Sequence, residues 1–186
     1  MKNTLFMAII FSFLAYGCRT TKPVNEAAGT ETHSTAVTPA TNFYNPETWI
    51  LGYFERSRME RPPHSEWFKK EYDNYHFSTD MVNRLTDISK DDINVRIVLG
   101  TWCPDSRREV PRFMRLMDIW KFPSEKITFI GTDLEKLSPI GEYEKLNIER
   151  VPTFIFYKNN IEAGRIIETP VASLERDMVN ILTRNE

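Results

Sequence analysis

Apolar and polar positions change their spacing along the chain, and those changes mark its elements. Residues 5–16 are almost uninterruptedly apolar. Residues 19–42 have no periodicity. They are rich in Thr and Ala, with two prolines and no aromatic residue. From Phe43 the spacing turns helical. Asn45-Pro46-Glu47 has the form of an N-cap, a proline at the first position and an acidic first turn. Trp49, Tyr53 and Phe54 give this short element an apolar side. Ser65-Glu66 opens a second helical pattern, with Phe68, Tyr72 and Tyr75 at i, i+4 and i+7. Ser78 or Thr79 caps a third, carrying Met81, Val82, Leu85 and Ile88. Residues 43–92 thus read as a helical N-terminal extension whose aromatics serve as core.

At residue 93 the period becomes that of strands. Ile93–Leu99 is β-branched and apolar and reads as a buried strand. Residues 104–120 return to helical spacing, with Val110, Phe113, Met114 and Met117 on one stripe. Lys126–Gly131 is a second strand, and Ser138–Leu146 a further helix. Thr153–Tyr157 and Ile161–Ile167 form a hairpin through Lys158-Asn159-Asn160. Val171–Thr183 closes the chain as a helix with Leu174, Met178, Ile181 and Leu182 inward. The order βαβαββα over residues 93–186 predicts one parallel strand pair with a crossover, then a hairpin, then a covering helix. That is an α/β domain with a central mixed sheet flanked by helices.

Composition narrows the function. The chain has 186 residues, 41% hydrophobic and 12% aromatic, enough to bury a core. Lys and Arg total 24 against 26 Asp and Glu, a net charge of −2 that offers no broad basic surface for nucleic acid. The two cysteines, Cys18 and Cys103, are too few for a disulfide-rich scaffold or a four-thiolate zinc site. No metal cluster, Gly-rich phosphate loop or other cofactor motif is present. His64 and His76 have no partners at metal-ligand spacing and read as structural or surface residues, and His33 as solvated.

The first 18 residues decide what Cys18 is. Lys2 supplies a positive n-region, and a twelve-residue apolar run rises only about 18 Å as a helix, short of the roughly 30 Å bilayer core. This is the form of an export signal. Its ending, Leu14-Ala15-Tyr16-Gly17-Cys18, resembles a bacterial lipoprotein signal. Residues 1–17 then form the signal peptide, and Cys18 becomes the lipidated first residue of the mature chain. The other reading is an ordinary cleaved signal with an incidental cysteine. Residues 18–42 follow as lipidated Cys and flexible tether, on the order of 27 Å long as a coil. The localisation expected is extracytoplasmic, lipid-anchored to a bacterial membrane.

The chemistry concentrates at Thr101-Trp102-Cys103-Pro104-Asp105-Ser106, the joint between the first strand of the sheet and its helix. A cysteine there faces unpaired backbone N–H groups and the positive end of the helix dipole, which favour a thiolate. Pro104 suits the first helical position. Ser106 is spaced to hydrogen-bond the sulfur. Arg107 and Arg108 add positive potential, and Asp105 opposes it. Pro111 falls inside the helix, where a proline needs a structural reason. Val151-Pro152-Thr153 precedes the third strand of the sheet, where a cis peptide would present backbone to the thiol. Arg108, Arg112 and Arg115 at i, i+4 and i+7 read as a solvated helix face.

W-C-x-x-S with a proline eight residues after the cysteine, followed by V-P-T-F-I-F-Y-K-N, resembles the thioredoxin superfamily over residues 93–184. The resemblance implies a thioredoxin-like fold with Cys103 as nucleophile and Pro152 as a cis-proline facing it. It implies Trp102 and Val151 as the flanks of a substrate groove bordered by Pro104, Asp105 and Arg150, along which a peptide could lie as an added strand. The partners implied are protein or small-molecule thiols and disulfides.

Three departures limit that inference. Ser106 occupies the resolving-cysteine position, so Cys103 has no internal partner and its mixed disulfides wait for an outside thiol. Ile97 stands where thioredoxins often carry a buried carboxylate. Glu168 stands where a glycine is common. Three functions follow: a membrane-anchored monothiol exchange protein, a non-catalytic binding module on the same fold, and a thiol-based redox sensor or peroxidase.

Overall fold

The computed structural model describes residues 40–184. The signal segment, Cys18 and the tether up to residue 39 lie outside the described residues. Five strands form one sheet: β1 (Gly52–Phe54), β2 (Ile93–Leu99), β3 (Ile127–Gly131), β4 (Thr153–Lys158) and β5 (Ile161–Ile167). Their spatial order is β1-β3-β2-β4-β5. β2 and β3 run parallel, joined by the crossover helix α3 (Pro104–Ile119). The β4–β5 hairpin adds antiparallel to the other side of β2, as the sequence predicts.

Strand alternation divides the core. Ile97 and Leu99 of β2 and Phe154 and Phe156 of β4 face the helices with Phe113, Met117, Leu174 and Met178. Phe113 stacks on Phe154 with ring centroids 4.5 Å apart. Val98, Ile130 and Ile155 face the other way and form a smaller cluster with Tyr143, Leu146, Val151 and Cys103. That second cluster covers only one end of the sheet. In the first half of β2, Asn94 and Arg96 are exposed, so the expected buried strand is buried on both sides only near Leu99. Arg96 instead lies over the Tyr157 ring, 4.9 Å from its centroid.

The N-terminal extension departs from a purely helical reading. Pro46–Thr48 is one 3-10 turn, with Asn45 Oδ1 accepting the Glu47 N–H. Gly52–Phe54 is then a strand, β1, paired antiparallel to β3. Trp49, Tyr53 and Phe54 mimic helical spacing, but the free edge of β3 supplies hydrogen bonds that no local pattern reveals. The pairing demands a glycine opposite: a Cβ on Gly131 would lie 1.9 Å from the Ile50 carbonyl oxygen. After it come a 3-10 turn at Arg56–Arg58 and two helices, α1 (Ser65–Asn74) and α2 (Thr79–Thr86).

The arginine stripe of α3 is not a solvated face, because α1 lies along it. Arg112 pairs with Glu71 at 2.6 Å and reaches Glu109, while Arg115 donates to the carbonyls of Tyr72 and Asp73. Arg56 and the Tyr72 hydroxyl both bond Asp118. Burial raises the Asp118 carboxyl, but those two partners outweigh it and hold the group below the ordinary carboxylate range.

The last helix, α4 (Leu174–Leu182), starts three residues later than its pattern predicts. Asp177 takes the N–H groups of Val171 and Ala172 and holds them as a turn, and Ser173 caps the helix. Glu175, 2% exposed, accepts the Ser78 N–H and the Tyr75 hydroxyl. Burial raises its carboxyl, and these bonds bring it below its ordinary value.

Residues 138–146 do not form the expected helix. Only Tyr143–Leu146 makes a 3-10 turn, bracketed by Glu142 and Asn147 in left-handed conformations. Ser138 is drawn to the Gly131 carbonyl and the Tyr143 hydroxyl to that of Lys136, contacts that a continuous helix would break.

Candidate active site around Cys103

β2 ends at Leu99, and four residues later the chain turns into α3. Cys103 is the N-cap residue of that helix, in extended backbone conformation, with Pro104 at the first helical position. The Cys103 N–H donates to Gly100 O at 2.9 Å and its carbonyl accepts from Arg107 N at 3.1 Å, closing the turn on both sides. The thiol is 7% exposed. Its Sγ lies 3.2 Å from the Val151 carbonyl oxygen, to which the S–H donates.

Three loops meet around the thiol. The Val151–Pro152 bond is cis. Thr153 braces it by donating its hydroxyl to Arg150 O at 2.6 Å, and Pro152 O accepts the Glu168 N–H at 2.7 Å. Glu168 adopts a φ of +63°, in the left-handed region that favours glycine. Its carboxylate pairs with the exposed Arg150 at 2.6 Å, so both signs of charge lie beside the Val151–Pro152 turn. On the other side, the Trp102 indole N–H donates to Thr132 O at 3.0 Å and sets the ring against the Cys103 cluster. Gly100 makes room for that ring: a Cβ there would lie 2.5 Å from the indole.

Cys103, Trp102, Val151 and Pro152 therefore meet at one place. Pro104 and Asp105 sit on the first turn of α3 beside them. Ser106 does not reach the sulfur as its spacing predicts. It is fully buried, and its hydroxyl accepts the Gly100 N–H at 3.3 Å, a bond that ties α3 to the end of β2. Ile97 is fully buried in the helix-side core.

The arginines separate. Arg108 pairs with Asp105 at 2.7 Å and with Glu109 at 2.6 Å, so it brings little net charge to the thiol. Arg107 donates to the carbonyls of Thr101 and Trp102. Burial lowers its pKa, while the charges of Cys103 and Tyr44, when ionised, oppose that shift.

Sequence reasoning misses how the first described segment reaches this loop. Thr101 accepts the Ile50 N–H at 3.2 Å and donates to Thr48 O, and Phe43 lies under Arg107. Phe43 also packs on His64, a buried histidine whose Nδ1 has no hydrogen-bond partner among the described residues. Burial, with Arg58 and Arg107 nearby, pushes the His64 imidazole down to about 4. No periodicity signals these contacts, because they join segments distant in the chain.

No family model matches the chain. A curated H-type thioredoxin from Oryza sativa subsp. indica is 30% identical over 80 residues, which are 43% of this chain and 61% of the rice protein. A Pseudomonas aeruginosa protein of unknown function is 14% identical, covering 66% of this chain and 82% of its own, with a TM-score of 0.48. Thioredoxin O2 from Arabidopsis thaliana is 21% identical, covering 56% of this chain and 88% of its own, with a TM-score of 0.38. At such scores the sheet order, not superposition, defines the fold. The sheet order β1-β3-β2-β4-β5, with the thiol where β2 gives way to α3, and the sequence match together support a thioredoxin-like fold.

Proposed function

We propose that this chain exchanges thiols and disulfides through one nucleophile, Cys103, forming mixed disulfides with protein or small-molecule partners in the groove between Trp102 and Val151-Pro152. The observation that carries the reading is the seat of the thiol. Cys103 is the only cysteine among the described residues, set at the first turn of α3 with Sγ 3.2 Å from Val151 O. That turn aims unpaired N–H groups toward charge developing on sulfur.

The Cys103 thiolate attacks one sulfur of a disulfide. A new S–S bond forms as the old one breaks, and the other half leaves as a thiolate that takes a proton from water. Ser106 stands where a second thiol would complete the cycle, and its hydroxyl is already committed to Gly100. A thiolate from an outside molecule therefore attacks the mixed disulfide, departs bonded to the first half and returns Cys103 as a thiolate. The cycle exchanges partners without net oxidation or reduction.

The test is capture from a bacterial envelope extract. The unaltered chain is expected to hold partners covalently through Cys103, visible without reductant and released by it, while Cys103→Ser captures none. Equal recovery with Cys103→Ser contradicts exchange and leaves a binding module.

We also propose that the protein lies outside the cytoplasm, anchored by a lipid on Cys18. The supporting feature is the charged start, apolar run and Gly17-Cys18 ending of residues 1–18. Full-length chain is expected in the membrane fraction and Cys18→Ser in the soluble one. Unchanged partitioning of the variant contradicts the anchor.

A further inference from the structure

Two arginines follow Ser106, and the structure gives them different work. Arg108 is balanced by Asp105 and Glu109. Arg107 has no carboxylate partner among the described residues. It lies one helical turn after Cys103, its backbone N–H bonded to the Cys103 carbonyl. One nitrogen of its guanidinium donates to both Thr101 O, at 3.2 Å, and Trp102 O, at 3.1 Å. These are the carbonyls of the two residues immediately before the thiol. The guanidinium also sits 4.5 Å from the centroid of the Phe43 ring.

Phe43 is itself held in place. Its carbonyl accepts the Trp49 indole N–H at 3.0 Å, and its ring packs 5.8 Å from that of His64. The same segment grips Thr101 through Thr48 O and Ile50 N. Arg107 is thus attached to the thiol loop on one side and to the segment of residues 43–50 on the other. A half-buried cation in this setting acts more strongly than a solvated one, because less water screens it.

Resting on the exchange reading above, we infer that Arg107 is the positioning residue for Cys103: it splints the loop that presents the thiol and keeps an unbalanced positive charge on that loop, with Phe43 holding it there. The other titratable groups facing this charge are Tyr44 and His64, from the segments packed against it. On α3 the neighbours are Asp105 and Arg108, which pair with each other. None of these gives Arg107 a standing counter-charge at neutral pH.

The experiment measures the rate of Cys103 alkylation by iodoacetamide against pH in the full chain, with unfolding followed on the same samples. Arg107→Met is expected to slow alkylation at pH 7 about threefold or more and to move the profile to higher pH. Arg107→Lys restores the charge and recovers most of the rate, although it loses the bridge to two carbonyls and part of the Phe43 stack. Its stability is expected to fall as far as that of Arg107→Met. Arg108→Met leaves the profile in place. If Arg107→Met does not fold, Phe43→Leu serves instead, with a smaller shift in the same direction. A profile that Arg107→Met (or, in its place, Phe43→Leu) leaves unchanged overturns the inference, and so does an Arg107→Lys chain as slow as Arg107→Met. Failure of the wild-type chain to capture any disulfide partner defeats the exchange reading separately, because alkylation needs no disulfide.

Discussion

His64 shows how one buried side chain ties the site's surroundings to pH. It lies between Phe43 and Trp67, and burial first, then Arg58 and Arg107, lower its pKa from 6.5 to about 4. The unfolded chain takes up this proton near pH 6.5, whereas the folded chain resists it until about pH 4. Stability is therefore complete above pH 6.5 and declines as pH falls through this window, by at most about 1.4 kcal/mol per pH unit for one proton. Asp118 and Glu175, held below the ordinary carboxylate range, act at the acid end of the window. Denaturant unfolding at pH 7.5 and pH 5 is expected to show this loss, and His64→Leu to remove most of it. Equal stability at both pH values in the wild-type chain contradicts the assignment. The sequence marks His64 only as structural or surface. Its burial depends on Phe43 and Trp67 meeting around it, which residue spacing does not encode. Cys103 was more legible, because a thiol between a β-branched strand and a helix with proline at its first position has few structural settings.

At the scale of elements, legibility followed length and period. β2, α3, β4 and β5 lie where alternation and helical stripes predict them, since each has enough residues to express its period. β1 was hidden because it spans Gly52–Phe54 alone and owes its conformation to the edge of β3. The α3 arginines mislead for a related reason. A charged stripe reads as solvated until a second helix is known to lie on it, and α1 brings Glu71 and the carbonyl end of its last turn to meet them. The β1–β3 pairing has a direct test. In Gly131→Ala, the new methyl has to displace the Ile50 carbonyl, which is main chain and cannot rotate aside. A loss of about 2–4 kcal/mol is expected in denaturant unfolding. Unaltered stability would show that β1 is not seated as described.

The whole molecule sets the proposed single-thiol cycle on a thioredoxin-like fold. The sheet brings one thiol to its C-terminal end, the Val151–Pro152 turn to face it and a tryptophan beside it. Ser106 ties the start of α3 to the end of β2. Everything in the proposed mechanism then depends on how long a mixed disulfide on Cys103 lasts. The most direct measurement is intact-mass spectrometry of the full chain after exposure to a small disulfide, first alone and then with added thiol. With Cys18 lipidated or replaced by serine, one adduct per chain is expected on Cys103, persisting until the outside thiol arrives and then disappearing completely. An adduct that never forms on the folded chain, or one lost at the same rate without added thiol, contradicts single-thiol exchange.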